Sequence, residues 1–205
     1  QQEANPAGGA APSAFVSLGG GMETLARALS EALGDTLRVA EPVVAIEQRR
    51  SEAGPYYRVI ARDGDSRDSR VVALATPAPV SAGLLATAAP HVGRALAAIP
   101  HTSTASVNLG YRREDVEHPL DGYGFLCAAG EGLLLRGATW ASSKLAGRAP
   151  DGHVLIRAFV GGRGRETDVA LDDEPMVARV SAELDRLLGV GGAPVVSRVD
   201  RWPEG

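Results

Sequence analysis

Two stretches of this sequence repeat apolar residues at helical spacing, and between them the pattern is mostly that of short strands. That combination rules out a helical bundle. It calls for sheets covered by helices, an architecture in which each element buries one face. The first run is Met22, Leu25, Ala26, Leu29, Ala32 and Leu33; it follows Gly19–Gly21 and ends at Gly34, a residue suited to a left-handed C-cap. The second is Val177, Val180, Leu184, Leu187 and Leu188. Asp172 or Asp173 is placed to cap it, Pro175 sits in its first turn and Gly189 follows its end.

After the first helix, 37–46 reads as a strand, with Pro42 marking an edge or bulge. Tyr56, Tyr57, Val59 and Ile60 make a second strand, and the DGDSRDS run reads as a polar turn. Val71–Ala75 reads as a short, fully buried strand. Pro77 and Pro79 end it and mark a boundary, dividing the chain into residues 1–80 and 81–205. In the second part, 102–111, 123–128, 133–140, 153–160 and 194–202 read as strands. With the helix capped near Asp173 they form an α+β unit. The fold class expected is therefore α/β in the first part, and a mixed or antiparallel sheet with one packed helix in the second.

Several function classes are excluded by composition. The net charge is −4 with the two signs interspersed, so no basic stripe invites nucleic acid. Cys127 is the one cysteine, which excludes an intrachain disulfide and a multi-thiolate zinc site and fits a reduced, cytoplasmic compartment. No charged or helix-terminal feature flanks it, so it reads as a small buried hydrophobe. His91, His101, His118 and His153 lack ligand-like spacing, and no metal is expected. The uncharged stretch 71–90 contains Pro77 and Pro79 and is rich in alanine, so it reads as a strand, turn and short helix, not a membrane span. The N-terminal QQEANPAGGAAPSA lacks the charged and apolar regions of a signal peptide. It also lacks an initiator Met, which points to an upstream portion. GGRGR at 161–165 has no following Lys-Ser/Thr pair, so it reads as a solvated basic turn and not a phosphate loop.

A series of strings carries a more specific signal: FVSLGGGMETL, EPVVAIE, VVALATPA, NLGYRRED, DGYGFL, ATWASSK, GRAPDGHVLIRAFVGG and RWPEG. In their order and spacing they resemble the central portion of the protoporphyrinogen/coproporphyrinogen oxidase family, within the flavin amine oxidase superfamily. The likeness runs from about Phe15 to the C-terminus. It implies part of an FAD-binding Rossmann-like domain (1–80) and part of a substrate-binding domain (81–205). It also implies a heme-biosynthetic oxidoreductase that uses O2 to oxidise protoporphyrinogen IX or coproporphyrinogen III. The strand–GxGxxG–helix that holds the FAD pyrophosphate in that family does not occur in this sequence. Neither does the family's final glycine-rich segment. The chain is thus expected to be a fragment that is inactive alone and carries no FAD, the cofactor belonging to the complete protein. The resemblance implies a cytoplasmic protein, leaves room for peripheral membrane association of the full enzyme, and identifies no catalytic acid or base. Alternatives are a non-catalytic domain binding an apolar ligand, or a flavin amine oxidase relative acting on a polyamine or carotenoid.

Site residues follow from the same likeness. Val43 lies on the strand whose backbone meets the FAD adenine in that family, although strand propensity alone makes it an ordinary core valine. Ala75 and Thr76, next to Pro77, sit where α/β folds bring strand ends to a ligand. Trp202 falls where the superfamily often has an aromatic near the flavin. Leu126, Trp140 and Phe159 match positions lining the tetrapyrrole pocket, where wide apolar walls suit a macrocycle. They are expected to project from neighbouring strands onto one concave face.

Overall fold

The computed structural model describes residues 16–128 and 130–203. The N-terminal stretch 1–15, Ala129 and the last two residues of the RWPEG string lie outside them. Among the described residues two compact units are present: Arg27–His101, and 102–203 together with 16–26. The first unit therefore runs past Pro77 and Pro79 and takes in two short helices before ending at His101.

In the unit Arg27–His101, β1 (Val43–Ser51), β2 (Gly54–Ala61) and β3 (Ser66–Ser69) form an antiparallel sheet in the order β1-β2-β3. The extended run predicted from Leu37 starts only at Val43. Ala40 has φ 59°, a left-handed conformation that breaks an extended chain, and Pro42 offers no amide. The polar DGDSRDS run contributes a strand as well as a turn. Arg58 donates from Nε and Nη2 to the two Asp68 carboxylate oxygens, at 2.8 and 2.9 Å, so a cross-strand ion pair holds β3 where apolar patterning is absent.

The buried strand predicted at Val71–Ala75 does not form. Beyond β3 the Ser69 hydroxyl donates to the Val71 carbonyl and accepts its N–H. That local turn takes the chain off the sheet and leaves Val71 exposed. An apolar run becomes a strand only where a neighbour offers a ladder, and among the described residues none does. α2 (Ala78–Leu84) and α3 (Pro90–Ala97) follow, each with a proline in its first turn; α3 was not anticipated. Only Ile46 and Leu84 among this unit's large described apolar side chains are buried.

The helix predicted after Gly21 is α1 (Glu23–Leu33), and Gly34 closes it at φ 50°. Its apolar stripe of Met22, Leu25, Leu29 and Leu33 stays exposed.

The second unit is a five-stranded antiparallel sheet in the order β5-β6-β7-β4-β8. Its strands are β4 (Thr104–Arg112), β5 (Gly124–Leu126), β6 (Leu135–Trp140), β7 (His153–Gly161) and β8 (Val196–Trp202). A single turn, α4 (Ala141–Lys144), links β6 towards β7, and α5 (Asp173–Leu188) covers one face. Met176, Val180, Leu184 and Leu188 of α5 are buried with Val107, Leu109 and Tyr111 of β4 and Val154, Ile156, Ala158 and Val160 of β7. Gly189 ends α5 at φ 60°, as its position foretold. Polar ties fix the helix in place. The Glu183 carboxylate accepts the N–H groups of Leu134 and Leu135 at 2.8 and 2.9 Å, pinning the start of β6. The Tyr111 hydroxyl meets the Ser181 hydroxyl at 3.1 Å.

Two predictions test this packing. Leu184→Ala should destabilise the unit by about 2–5 kcal/mol, because the cavity is sealed. Leu29→Ala, on the exposed stripe of α1, should change stability by less than about 0.5 kcal/mol; denaturant unfolding of both variants measures the contrast. Burial pushes the Tyr111 hydroxyl above its ordinary pKa, an effect that the bond to Ser181 partly opposes. The folded state thus holds this proton more tightly than the unfolded chain does. The stability gained is present in full below the unfolded pKa and is lost as pH rises through the folded one. Tyr111→Phe should therefore flatten the alkaline fall of the unfolding free energy, and an unchanged slope would contradict the assignment.

Candidate functional site

Because α5 covers one face of the five-stranded sheet, the alternation of side chains assigns every strand residue to the covered face or to the open one. Register then fixes the neighbours. Leu126 pairs with Gly137, Gly137 with Phe159, Phe159 with Ser106, and Ser106 with Asp200. The next row is Gly124, Thr139, Arg157, Asn108 and Arg198. On the other side of the first row, Trp202 pairs with Thr104. These rows make up the open face.

Leu126 and Phe159 lie together there, 87% and 41% exposed. Gly137 between them keeps the surface flat: a Cβ at that position would stand 2.5 Å from the Phe125 carbonyl and 3.0 Å from a Leu126 methyl. Trp140 does not join them. It occupies the opposite parity, is 3% exposed, and packs on the helix side between Phe125 and His118, with ring centroids 5.7 and 5.5 Å away. The expectation that all three share one face is therefore corrected. Strand alternation puts Trp140 in register with Ile156, a core residue, and sends its indole inward. There it lines a cleft of about 370 Å³ with His118, Asp121, Leu187 and Leu188. Trp202 is on the open face, 51% exposed, at the β8 edge.

A polar chain beside the apolar pair was not legible as a site. Arg157 Nε donates to Asn108 Oδ1 at 2.7 Å; Asn108 Nδ2 donates to Asp200 Oδ2 at 3.3 Å; Arg198 Nε donates to Asp200 Oδ1 at 2.8 Å. Its one sequence signal is a charged residue interrupting the apolar run VLIRAFV, at the parity opposite to Ile156 and Ala158.

The remaining expected residues belong to the unit Arg27–His101. Val43 is exposed at the start of β1, where the register with β2 shifts before Ala45. Among the described residues β1 carries no strand on its second edge. Ala75 and Thr76 lie at the approach to α2, whose first turn is pinned by a 2.7 Å contact between the Thr76 and Ser81 hydroxyls, and α2 packs against β1.

Other candidates resolve without chemistry. Arg165, read as part of a solvated turn, instead donates to Asp168 at 2.6 Å and to the Leu133 carbonyl at 3.2 Å. Burial, reinforced by the Glu183 charge, pushes the Cys127 thiol above its ordinary pKa, a shift that disfavours the thiolate. Among the described residues no cluster of His, Cys, Asp and Glu could hold a metal, and no helix is long and apolar enough to cross a membrane.

Comparison with known proteins places this geometry. The coproporphyrinogen III oxidase of Propionibacterium freudenreichii subsp. freudenreichii is 38% identical over 195 residues, which is 95% of this chain and 35% of that protein. The enzyme of the same name from Bacillus subtilis is 29% identical, covering 93% of this chain and 39% of the relative. Protoporphyrinogen oxidase 1 of Spinacia oleracea chloroplasts is 27% identical, with 90% and 34% covered. The chain thus spans less than two fifths of these relatives. The crystal structure of a candidate protoporphyrinogen oxidase from Exiguobacterium sp. 255-15 superposes with a TM-score of 0.77 at 27% identity, over 92% of this chain and 40% of that one. Cyclohexylamine oxidase from Brevibacterium oxydans shares the fold at 16% identity, with a TM-score of 0.65 over 89% of this chain and 38% of its own. The family model for flavin-containing amine oxidoreductases matches residues 8–205, and the chain belongs to that family.

Proposed function

We propose that this chain supplies the substrate-facing sheet and part of the cofactor domain of an FAD-dependent porphyrinogen oxidase. The observation that carries this reading is the open sheet face, where Leu126 and Phe159 lie exposed across the small Gly137. A macrocycle needs a flat apolar wall of this kind, and an exposed apolar patch on a strand face ordinarily marks a ligand site. The names of the relatives supply the substrate class. Trp140 has no part in the wall and acts as core.

In the complete protein, FAD would accept hydride equivalents from the porphyrinogen and pass the electrons to O2, giving hydrogen peroxide. This chain's share is binding and orientation. Leu126 and Phe159 exclude water from one side of the macrocycle, and the free edge of β1 at Val43, with Ala75 and Thr76 nearby in sequence to α2, offers backbone contacts to the cofactor's adenine. Trp202 adds an aromatic surface at the β8 edge for the flavin or the substrate. No residue is assigned to proton transfer. The rival reading as an oxidase of polyamines or other amines is disfavoured by Arg157, which puts a positive charge beside the apolar wall, where an ammonium would be repelled.

Two outcomes are expected. The purified chain should show no stoichiometric flavin absorption, since no GxGxxG follows a strand in it; tightly bound FAD would overturn that expectation. Coproporphyrin III, the stable oxidised probe, should bind the chain, and Phe159→Ala should weaken binding about tenfold while leaving the unfolding midpoint almost unchanged. A destabilisation approaching the roughly 3–5 kcal/mol typical of a core Phe→Ala change, or unaltered porphyrin affinity, would remove Phe159 from the site.

A further inference from the structure

Resting on that reading of the open face, we infer that Arg157 is a specificity-determining residue that binds a carboxylate arm of the ligand lying over Leu126 and Phe159. Arg157 is on β7, two residues from Phe159 and on the same face, so its Cα is about 7 Å from that of the phenylalanine. A ring resting on Phe159 therefore brings a short acid side chain within reach of the guanidinium. Thr139 and Asn108 flank Arg157 in register on β6 and β4.

How the guanidinium is held matters more than its nearness. Nε is committed to Asn108 Oδ1 at 2.7 Å, which fixes the plane of the group. Among the described residues Arg157 forms no ion pair, whereas Arg198, in the same row, is neutralised by Asp200 at 2.7 Å. Asp200 touches Arg157 only through the neutral Asn108 amide, by the 3.3 Å bond from Nδ2. The four side chains thus carry one uncompensated positive charge, located on Arg157. Its two terminal nitrogens remain as a preset fork, the geometry that takes a carboxylate through two parallel hydrogen bonds. A residue serving only the fold would pair its charge with Asp200 directly; here the intervening amide orients the cation without neutralising it. The ligand class that follows is a flat, apolar ring bearing acid arms, as against an uncharged or cationic one.

The test compares coproporphyrin III with its tetramethyl ester, which keeps the ring and removes every carboxylate, by fluorescence titration of the whole chain. Wild type should prefer the acid about tenfold, the scale of one charge-assisted contact. Arg157→Met should abolish the preference while leaving ester affinity unchanged, and Arg157→Lys should keep part of it, with the remainder falling as salt rises. The unfolding midpoint of each variant checks that the sheet is intact. An acid-to-ester ratio that is near one in wild type, or unaltered in Arg157→Met while Phe159→Ala still weakens both ligands, overturns the role of Arg157 and leaves the face as the site. Failure of both porphyrins to bind wild type overturns the reading of the face, and this inference with it.

Discussion

One helix laid on one side of one sheet decides the chemistry available to the larger unit. Met176, Val180, Leu184 and Leu188 seal the inward side chains of β4 and β7, and the Glu183 carboxylate ties the helix to the amides of Leu134 and Leu135. Once that face is filled, strand alternation leaves every second residue facing away from the core. Asn108, Arg157 and Phe159 are outward because Ala105, Val107, Leu109, Ile156 and Ala158 must be inward; Ser106 has the same parity but is 4% exposed. The candidate site is the remainder of a packing solution. A one-residue slip of β7 would bury Arg157 and expose Ile156, a change the core forbids.

The division between the units reflects unequal burial. Residues 102–203 enclose a continuous cluster that includes Tyr111, Leu135, Ile156 and Met176, whereas in 27–101 only Ile46 and Leu84 among the large apolar side chains reach that state. A small antiparallel sheet with so little sealed surface gains little to set against chain entropy. Local devices carry more of its order: the Arg58–Asp68 fork, the Ser69 turn and the paired prolines that start α2 and α3.

Much of this was legible in the sequence because periodicity and punctuation report local physics. The α5 pattern with its Pro175 and Gly189, the β4 and β7 alternations and the helix between Gly21 and Gly34 all appear close to where they were read. Failures arose where the deciding partner lies far along the chain. Val71–Ala75 has the composition of a buried strand but no ladder beside it, and Ser66–Ser69 has the composition of a turn but pairs through Arg58. For the site, family likeness grouped Leu126, Trp140 and Phe159 on one face, whereas Leu126 and Phe159 are exposed and Trp140, of the opposite parity, is buried. Deciding that required the register of β6 against β7, including its irregularity between Leu135 and Gly137. Arg157 escaped notice because its meaning depends on Asn108 and Asp200, which are remote in sequence.

The two tryptophans, separated onto opposite sides of the same sheet, give the protein a built-in pair of optical reporters. Trp140 is buried against Phe125 and His118, an environment that shifts indole emission to the blue, while Trp202 faces solvent and emits further to the red. An aqueous quencher reaches the second and not the first. A molecule settling on the open face shields Trp202 from such a quencher, whereas loosening of the α5 contact admits the quencher to Trp140. Occupancy and integrity are thus read out at separate tryptophans, without any label being attached.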